Sequence, residues 1–138
     1  MRRTIDYLET RADIDDEKIA YYGLSWGAWL GPIMMAVEER IGSGIILVGG
    51  LPPWKLAPAA DPINFVRRVK VPVLIISGEF DFLFPIETSA RPLLELLGST
   101  DKELKTYDGG HGNLILLFSR QIRGDVLGWL DRYLDPVD

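Results

Sequence analysis

The chain has 138 residues, a formal net charge of −5, 47% hydrophobic residues and no cysteine. This length fits one domain and the hydrophobic content argues against disorder, so we expect residues 1–138 to form a single unit. The acidic balance and the scattered basic residues exclude an electrostatic surface for nucleic acid or an acidic membrane. The missing cysteines exclude disulfides, thiolate metal sites and a cysteine nucleophile.

Membrane insertion and secretion are also disfavoured. No apolar run has the roughly 18 residues that a membrane span needs. Asp6 and Glu9 occupy positions where a signal peptide has its apolar region. We therefore expect a soluble, cytoplasmic protein.

Apolar periodicity divides the chain into alternating helices and strands. In chain order, the predicted helices are residues 2–11, 26–39, 89–97 and 122–134. The predicted strands are residues 18–22, 45–48, 71–77 and 104–107. The glycine-rich residues 42–44 are predicted to interrupt the pattern, and the proline-rich residues 51–70 to form a connector with little regular structure near the site.

Strands that alternate with helices predict an α/β fold, with about four parallel strands joined by crossover helices. In such a sheet, catalytic groups lie at the carboxyl ends of the strands. Residues 45–48 and 73–76 are apolar at every position, which indicates strands buried on both faces.

Residues 23–27 read Gly-Leu-Ser-Trp-Gly and match the G-x-S-x-G pattern between a predicted strand and a predicted helix. In this context a serine sits on a strained turn, where neighbouring chain passes too close for side chains at the two flanking glycines. The turn lifts the Ser25 hydroxyl out of the sheet and directs the backbone N–H of Trp26 at a developing oxyanion. The pattern favours Ser25 as a nucleophile, and the alternative is an ordinary N-cap serine.

A serine nucleophile needs a base, and the chain holds one histidine, His111, in a glycine-rich loop after the last predicted strand. The alternative is a loop histidine without a chemical role. Asp81, which follows the strand at residues 71–77, is predicted to orient the imidazole. Two other carboxylates are rivals, but Glu79 lies too close to the strand end, and Asp108 is better placed to cap the glycine turn that follows it.

These residues resemble the α/β-hydrolase family, in the branch that contains dienelactone-hydrolase-like, acetyl-xylan-esterase-like and prolyl-oligopeptidase-like enzymes. The resemblance implies Ser25 as nucleophile, Asp81 as acid and His111 as base, with the Trp26 N–H as one oxyanion-hole donor. It implies no metal and no cofactor. The matching segments are residues 13–27, 78–85 and 108–112.

The resemblance covers only the C-terminal half of that fold. Members of the family begin with several strands and a helix, whereas this chain begins at the helix before the nucleophile turn. We therefore expect a truncated α/β-hydrolase fold that lacks the loop supplying the second oxyanion donor. Loss of one such donor lowers turnover by about 10²–10³-fold.

The sequence predicts a serine carboxylesterase that hydrolyses small, short-acyl esters through an acyl-enzyme. The connector is too short for a large lid, which indicates an open site, and the predicted substrate-binding residues are Trp26, Trp54 and Phe82. Two alternatives stay open. One is a non-catalytic or weakly active C-terminal fragment or binding module of a larger hydrolase, and the other is a prolyl-oligopeptidase-like peptidase.

The predicted sheet has a single helix, residues 122–134, left to cover its second face, and its first strand has an unpaired edge. We expect this exposed face or edge to be buried in a homodimer or a larger homo-oligomer. The predicted partners are therefore a small ester substrate and a second copy of the chain, with no nucleic acid and no membrane.

Overall fold

A parallel sheet of four strands lies at the centre of the protein, which the computed structural model describes over residues 1–135. The strands are β1 Ile19–Leu24, β2 Ile41–Leu47, β3 Val73–Gly78 and β4 Lys102–Tyr107. They lie side by side in this order, each parallel to its neighbour. The helices are α1 Arg2–Leu8, α2 Trp26–Val37, α3 Arg91–Leu96 and α4 Leu114–Leu134. This confirms the predicted α/β fold of four parallel strands with helices between them.

Short helical turns complete the connections. Two 3₁₀ turns, Pro62–Asn64 and Val66–Arg68, are the regular structure of the connector between β2 and β3. The first is N-capped by Asp61, whose carboxylate accepts the N–H of Ile63 at 3.3 Å. A π-helical turn, Ile86–Ala90, leads into α3. Within residues 1–135, every helix is too short or too polar to cross a membrane.

Both faces of the sheet bury apolar side chains, because β2 and β3 carry them on each side. The helices α1, α2 and α3 and the connector pack on one face, where the buried residues are Ile5, Ala28, Met35, Ile41, Ile46, Leu51, Val66, Val69, Val73, Ile75, Ala90, Leu93 and Leu97. Helix α4 packs on the other face, where they are Ile45, Leu47, Val48, Leu74, Ile76, Leu114, Ile122 and Trp129. Full burial of one such large side chain stabilises the fold by about 1.5–3 kcal/mol, so α4 is needed to keep the second face dry.

Polar contacts fix α4 on the sheet. The Trp129 indole N–H donates to the Ser43 hydroxyl at 3.0 Å, inside the second core. The Asp125 carboxylate accepts hydrogen bonds from Lys105 Nζ, at 2.5 Å, and from the Tyr107 hydroxyl. Burial and then the contact with Asp125 raise the pKa of Tyr107 to about 12, so the phenol stays protonated and remains a donor.

The prediction that residues 42–44 interrupt the pattern is wrong, since they lie inside β2. Small residues are needed there because neighbouring side chains occupy the space. A Cβ atom on Gly44 would overlap the Met35 sulfur, and one on Gly42 would lie 2.9 Å from Leu134 Cδ2. The glycines thus allow two helices to pack closely on the strand.

Helix α4 begins at Leu114, well before the predicted start of residues 122–134. Its first turns do not show amphipathic periodicity, because Leu116 and Leu117 are exposed. Phe118 also has non-helical angles, φ −119° and ψ 22°, which kink the helix. Local pattern therefore identifies only the regular second part of α4.

Helix α4 lies over β2 and β3 and leaves the same face of β1 open. Tyr22 is 53% exposed and Leu24 is 43% exposed. A cavity of about 290 Å³ lies between Tyr22 and α4, with Ile115 and Arg123 in its wall. Because β1 is also an edge strand, the structure contains the exposed face and edge that the sequence predicts.

Ion pairs fasten α1 to the chain that follows α2. The Glu38 carboxylate is 3% exposed and accepts hydrogen bonds from Arg40 Nε and Nη2, at 2.7 Å each. Arg40 Nη1 also contacts Asp6 and Glu9, at 2.9 Å each. The hydrogen bond from Arg40 lowers the pKa of Glu38 to about 2.

We expect Glu38 to make stability depend on acid pH. Its pKa in the folded protein lies below the ordinary value of 4.5, so its contribution is complete above pH 4.5 and is lost as the pH falls towards 2. Urea denaturation at a series of pH values measures this. Glu38→Gln should lower the free energy of unfolding by about 1–3 kcal/mol at pH 7 and reduce its fall below pH 4.5. The exposed Glu95→Gln serves as control, and equal pH slopes for wild type and Glu38→Gln would contradict the assignment.

Candidate active site

Ser25 occupies the sharp turn between β1 and α2. Its backbone angles, φ 51° and ψ −106°, lie outside the regions that non-glycine residues favour. The Ser25 N–H donates to the Leu47 carbonyl at the end of β2, and the Ser25 carbonyl accepts the Trp29 N–H, at 2.9 Å each. The surrounding hydrogen bonds therefore hold a strained backbone, as the G-x-S-x-G turn requires.

The two glycines around Ser25 play different parts. A Cβ atom on Gly23 would lie 2.6 Å from the Gly27 carbonyl oxygen and 2.7 Å from Tyr21 Cε1, so the turn excludes a side chain there. A Cβ atom on Gly27 would meet only the Tyr21 hydroxyl, at the ordinary contact distance of 3.8 Å. The prediction that both glycines avoid a close approach is therefore wrong for Gly27. The Tyr21 hydroxyl donates to the Gly27 carbonyl at 2.7 Å and ties β1 to the first turn of α2.

A chain of hydrogen bonds joins Ser25, His111 and Asp81, which come from three loops at the carboxyl edge of the sheet. Ser25 Oγ lies 2.8 Å from His111 Nε2, and His111 Nδ1 lies 2.9 Å from Asp81 Oδ2. Because an ionised carboxylate can only accept, a neutral imidazole carries its proton on Nδ1 and leaves Nε2 free to accept the serine proton. The structure thus brings together the three residues that the sequence singles out.

The loop after β3 fixes the orientation of the Asp81 carboxylate. Asp81 Oδ1 accepts the N–H groups of Leu83 and Phe84, at 2.9 Å each. The side chain is fully buried, with 0% exposed, while the His111 side chain is 14% exposed. Since Oδ1 is occupied by two backbone amides, Oδ2 is the atom that faces the imidazole.

Backbone contacts join the loop that carries Asp81 to the loop that carries His111. The Phe80 N–H donates to the Gly109 carbonyl at 3.0 Å. A Cβ atom on Gly78 would overlap that same carbonyl, so the two loops approach each other closely only because residue 78 is glycine. The separation of carboxylate and imidazole is therefore set by the main chain.

The rival carboxylates lie away from the imidazole. Glu79 is exposed and its nearest polar partner is Thr106 Oγ1, at 3.5 Å from Oε1. Asp108 is exposed as well, and the prediction that it caps the glycine turn is wrong, because Asn113 Oδ1 accepts the Gly110 N–H at 2.7 Å. Within residues 1–135, acidic and histidine side chains form no cluster of three or more suited to a metal ion.

The N-terminus of α2 lies directly beside Ser25 and carries backbone N–H groups that have no acceptor within the helix. Trp26 and Gly27 are its first two residues, so their N–H groups have no acceptor four residues earlier in the helix. The helix dipole adds partial positive charge there. Ser25 is the N-cap by position, but its side chain makes no capping bond, so the reading as an ordinary N-cap serine is wrong. The Trp26 N–H stays the predicted oxyanion donor.

A small, apolar cavity of about 130 Å³ adjoins Ser25. The residues around it are Ser25, Trp26, Trp29, Trp54, Leu83 and Phe84. Two of the three predicted substrate-binding residues, Trp26 and Trp54, are therefore in its wall. Phe82 is not: it is 77% exposed, and its ring centroid lies 6.5 Å from that of His111.

Three residues of this wall are not among the predicted substrate-binding residues: Trp29, Leu83 and Phe84. Trp29 is 6% exposed and therefore belongs to the core. It follows Ser25 by four residues, about one helical turn, and this spacing is the sequence signal that places it near the serine. Its ring packs edge-on against Trp26 and Trp54, with centroids 4.4 and 6.3 Å apart.

Comparison with known proteins agrees with this architecture. No protein-family model matches the sequence. Among solved structures, an esterase of Pyrococcus furiosus matches at a TM-score of 0.79 with 19% identity, over 96% of this chain and 60% of the esterase. Over the part that it matches, the chain shares the α/β fold of these hydrolases. At this level of identity the likeness concerns the fold alone.

Two further structures show the same relationship. A cold-adapted esterase from an Arctic intertidal metagenomic library matches at a TM-score of 0.75 with 22% identity, over 96% of this chain and 56% of the esterase. A Klebsiella pneumoniae protein assigned to the dienelactone hydrolases matches at a TM-score of 0.78 with 17% identity, over 96% of this chain and 59% of that protein. The chain therefore spans less than two thirds of the length of these proteins.

We expect substitutions at the two glycines of the turn to have opposite outcomes. Gly23→Ala should lower the free energy of unfolding by about 1–3 kcal/mol, because the new methyl group meets the backbone of the next turn. Gly27→Ala should keep it or raise it by up to about 1 kcal/mol, because alanine is the better helix former. Urea denaturation followed by circular dichroism measures both. Equal losses at the two positions would show that the turn is not built as described.

Proposed function

We propose that the protein is a serine hydrolase that cleaves small carboxylic esters with short acyl groups. The observation that carries the proposal is the chain from Ser25 Oγ to His111 Nε2, at 2.8 Å, and from His111 Nδ1 to Asp81 Oδ2, at 2.9 Å. A serine, a base and an orienting carboxylate in hydrogen-bond contact are the parts that acyl transfer needs. The esterases among the similar structures support an ester as the substrate.

The first half of the reaction forms an acyl-enzyme. His111 Nε2 takes the proton of the Ser25 hydroxyl as Oγ attacks the ester carbonyl carbon, and the carbonyl oxygen becomes an oxyanion. The Trp26 N–H at the helix terminus donates to that oxyanion. The imidazolium, which Asp81 stabilises, then gives its proton to the departing alcohol oxygen as the ester C–O bond breaks.

The second half returns the free enzyme. His111 takes a proton from water, and the resulting hydroxide attacks the acyl carbon. The bond to Ser25 Oγ breaks, Oγ regains the proton from the imidazolium, and the carboxylic acid leaves. No step needs a metal or a redox cofactor.

The cavity beside Ser25 supports a short acyl group. Its volume is about 130 Å³, and one water-sized group fills about 30 Å³ of liquid, so about four carbon-sized groups fit. Its wall is aromatic and aliphatic, which favours an alkyl chain over a polar one.

We propose that the protein acts in the cytoplasm, which the absence of cysteine supports.

Ser25→Ala tests the chemistry. We expect kcat/KM for p-nitrophenyl butyrate to fall by at least about 10³-fold, because the nucleophile is removed while the binding cavity remains. Thr100→Ala, which removes an exposed hydroxyl just before β4, is the matched control and should keep the wild-type rate. Equal rates for wild type and Ser25→Ala would refute the ester hydrolase and favour a non-catalytic domain. Peptide substrates are assayed in parallel, and hydrolysis of peptides rather than esters would favour a peptidase.

We propose in addition that the acting species is a homodimer formed through β1. This edge strand contains no charge or proline to block pairing, and it exposes Tyr22 and Leu24. Across a two-fold axis paired edges run antiparallel, so the acidic residues 15–17 before β1 approach the carboxyl end of β1 in the other copy. The first half of α4 begins there, and its Arg120 and Arg123 form no ion pair within residues 1–135. The two surfaces are complementary in charge.

Light scattering at micromolar concentration tests the homodimer. We expect twice the 15.5 kDa mass of one chain. Tyr22→Asp should shift the mass to that of one chain, because it places a charge in the apolar contact, whereas Thr100→Ala should leave the mass unchanged. The mass of a single chain for the wild type would rule the homodimer out.

A further inference from the structure

Trp54 separates two cavities. It lies in the wall of the 130 Å³ cavity beside Ser25 and also in the wall of a second cavity of about 320 Å³. Among residues 1–135, it is the only residue that lines both. The two spaces therefore meet at one side chain.

The second cavity has the chemistry of an apolar tail site. It lies within the connector, and the aliphatic residues in its wall are Leu51, Pro52, Pro53, Leu56, Pro58 and Ile63. Three polar side chains also line it. The buried Asp61 carboxylate accepts N–H groups of the connector, Asn64 donates to the Pro58 carbonyl at 3.0 Å, and Lys55 is exposed to solvent. This wall is suited to an alkyl chain rather than to a charged group.

The Trp54 ring is held by packing against a neighbouring ring. It is 49% exposed and stands on a segment outside the helices and strands. Its ring leans edge-on against the buried Trp29, with centroids 6.3 Å apart. An aromatic contact of this kind is worth about 0.5–1.5 kcal/mol, so the partition is a single side chain with one ring contact.

We infer that Trp54 is the residue that sets the acyl chain length, by closing the small cavity against the large one. The inference rests on the proposed ester hydrolysis at Ser25. A butyryl group matches the volume of about 130 Å³ on the serine side of Trp54, whereas an octanoyl group exceeds it and would extend past the indole ring. Removing the ring joins the two cavities and opens that room to longer chains.

Chain-length profiles of two variants test the inference. The quantity to be measured is kcat/KM for p-nitrophenyl butyrate and p-nitrophenyl octanoate in wild type, Trp54→Ala and Trp54→Phe. The ratio of octanoate to butyrate should rise at least tenfold in Trp54→Ala, a size typical of added methylene contacts in an apolar pocket. Trp54→Phe should raise it less, because a smaller ring still closes part of the gap. An unchanged ratio in both variants overturns the inference.

Phe80→Ala is the matched control. Phe80 is an exposed aromatic residue, 68% exposed, that lines neither cavity. Its loss should leave the octanoate to butyrate ratio at the wild-type value. A rise as large as that of Trp54→Ala would show that any aromatic deletion near the site relaxes selectivity, and it would remove Trp54 as the determinant.

A binding measurement separates this inference from the hydrolytic function. Calorimetry on Ser25→Ala and on Ser25→Ala/Trp54→Ala, with butyrate and octanoate as ligands, needs no turnover. The Trp54 substitution should tighten octanoate at least tenfold and change butyrate little. If esters are not hydrolysed but octanoate tightens, the partition stands and the proposed function fails. If esters are hydrolysed and octanoate does not tighten, the function stands and the partition fails.

Discussion

The close approach of β1 to the first turn of α2 is the constraint on which the rest of the site depends. A side chain at Gly23 would lie 2.6 Å from the backbone of that turn, so the chain reverses direction within a few residues and Ser25 takes a positive φ. The energy of this strained conformation, on the order of 1–3 kcal/mol, is offset by hydrogen bonds to Leu47 and between Tyr21 and Gly27. Ser25 is therefore positioned by the interior of the sheet.

The position of His111 follows from a second close approach, between Gly78 and Gly109. It brings the ends of β3 and β4 together, so the Asp81 carboxylate and the His111 ring meet at 2.9 Å. Neither contact involves a long, flexible side chain. The two glycine contacts thus define the Ser25–His111–Asp81 geometry through main-chain atoms, which have the least freedom to move.

Much of the fold follows from the sequence, because strands buried on both faces and amphipathic helices leave clear local patterns. Residues 42–44 could not be read in this way. Whether a glycine breaks a strand or admits a close neighbour depends on the neighbour, which is Met35 for Gly44 and Leu134 for Gly42. Those residues are distant in sequence, and their approach is a property of the folded chain.

The candidate site shows the same division. His111 was open to prediction because it is the single histidine, and Ser25 because its motif stands between a strand and a helix. The choice among neighbouring aromatic residues was not. Asp81 accepts the N–H of residues 83 and 84, which turns Phe84 inward to 6% exposure and leaves Phe82 outside at 77%. The direction of these rings is decided by a local turn that side-chain type does not reveal.

The connector between β2 and β3 holds Trp54 and none of Ser25, His111 and Asp81. Its exposed positions, such as Trp54, can therefore vary without disturbing Ser25, His111 or Asp81, which are fixed by strands and glycine contacts. Its buried residues Leu51, Val66 and Val69 belong to the core and do not have this freedom. For the proposed hydrolase, exchange of these exposed positions would change which esters are accepted and leave the proposed chemistry at Ser25 the same. In the proposed hydrolase, selectivity and reactivity would then be encoded by separate segments of the chain.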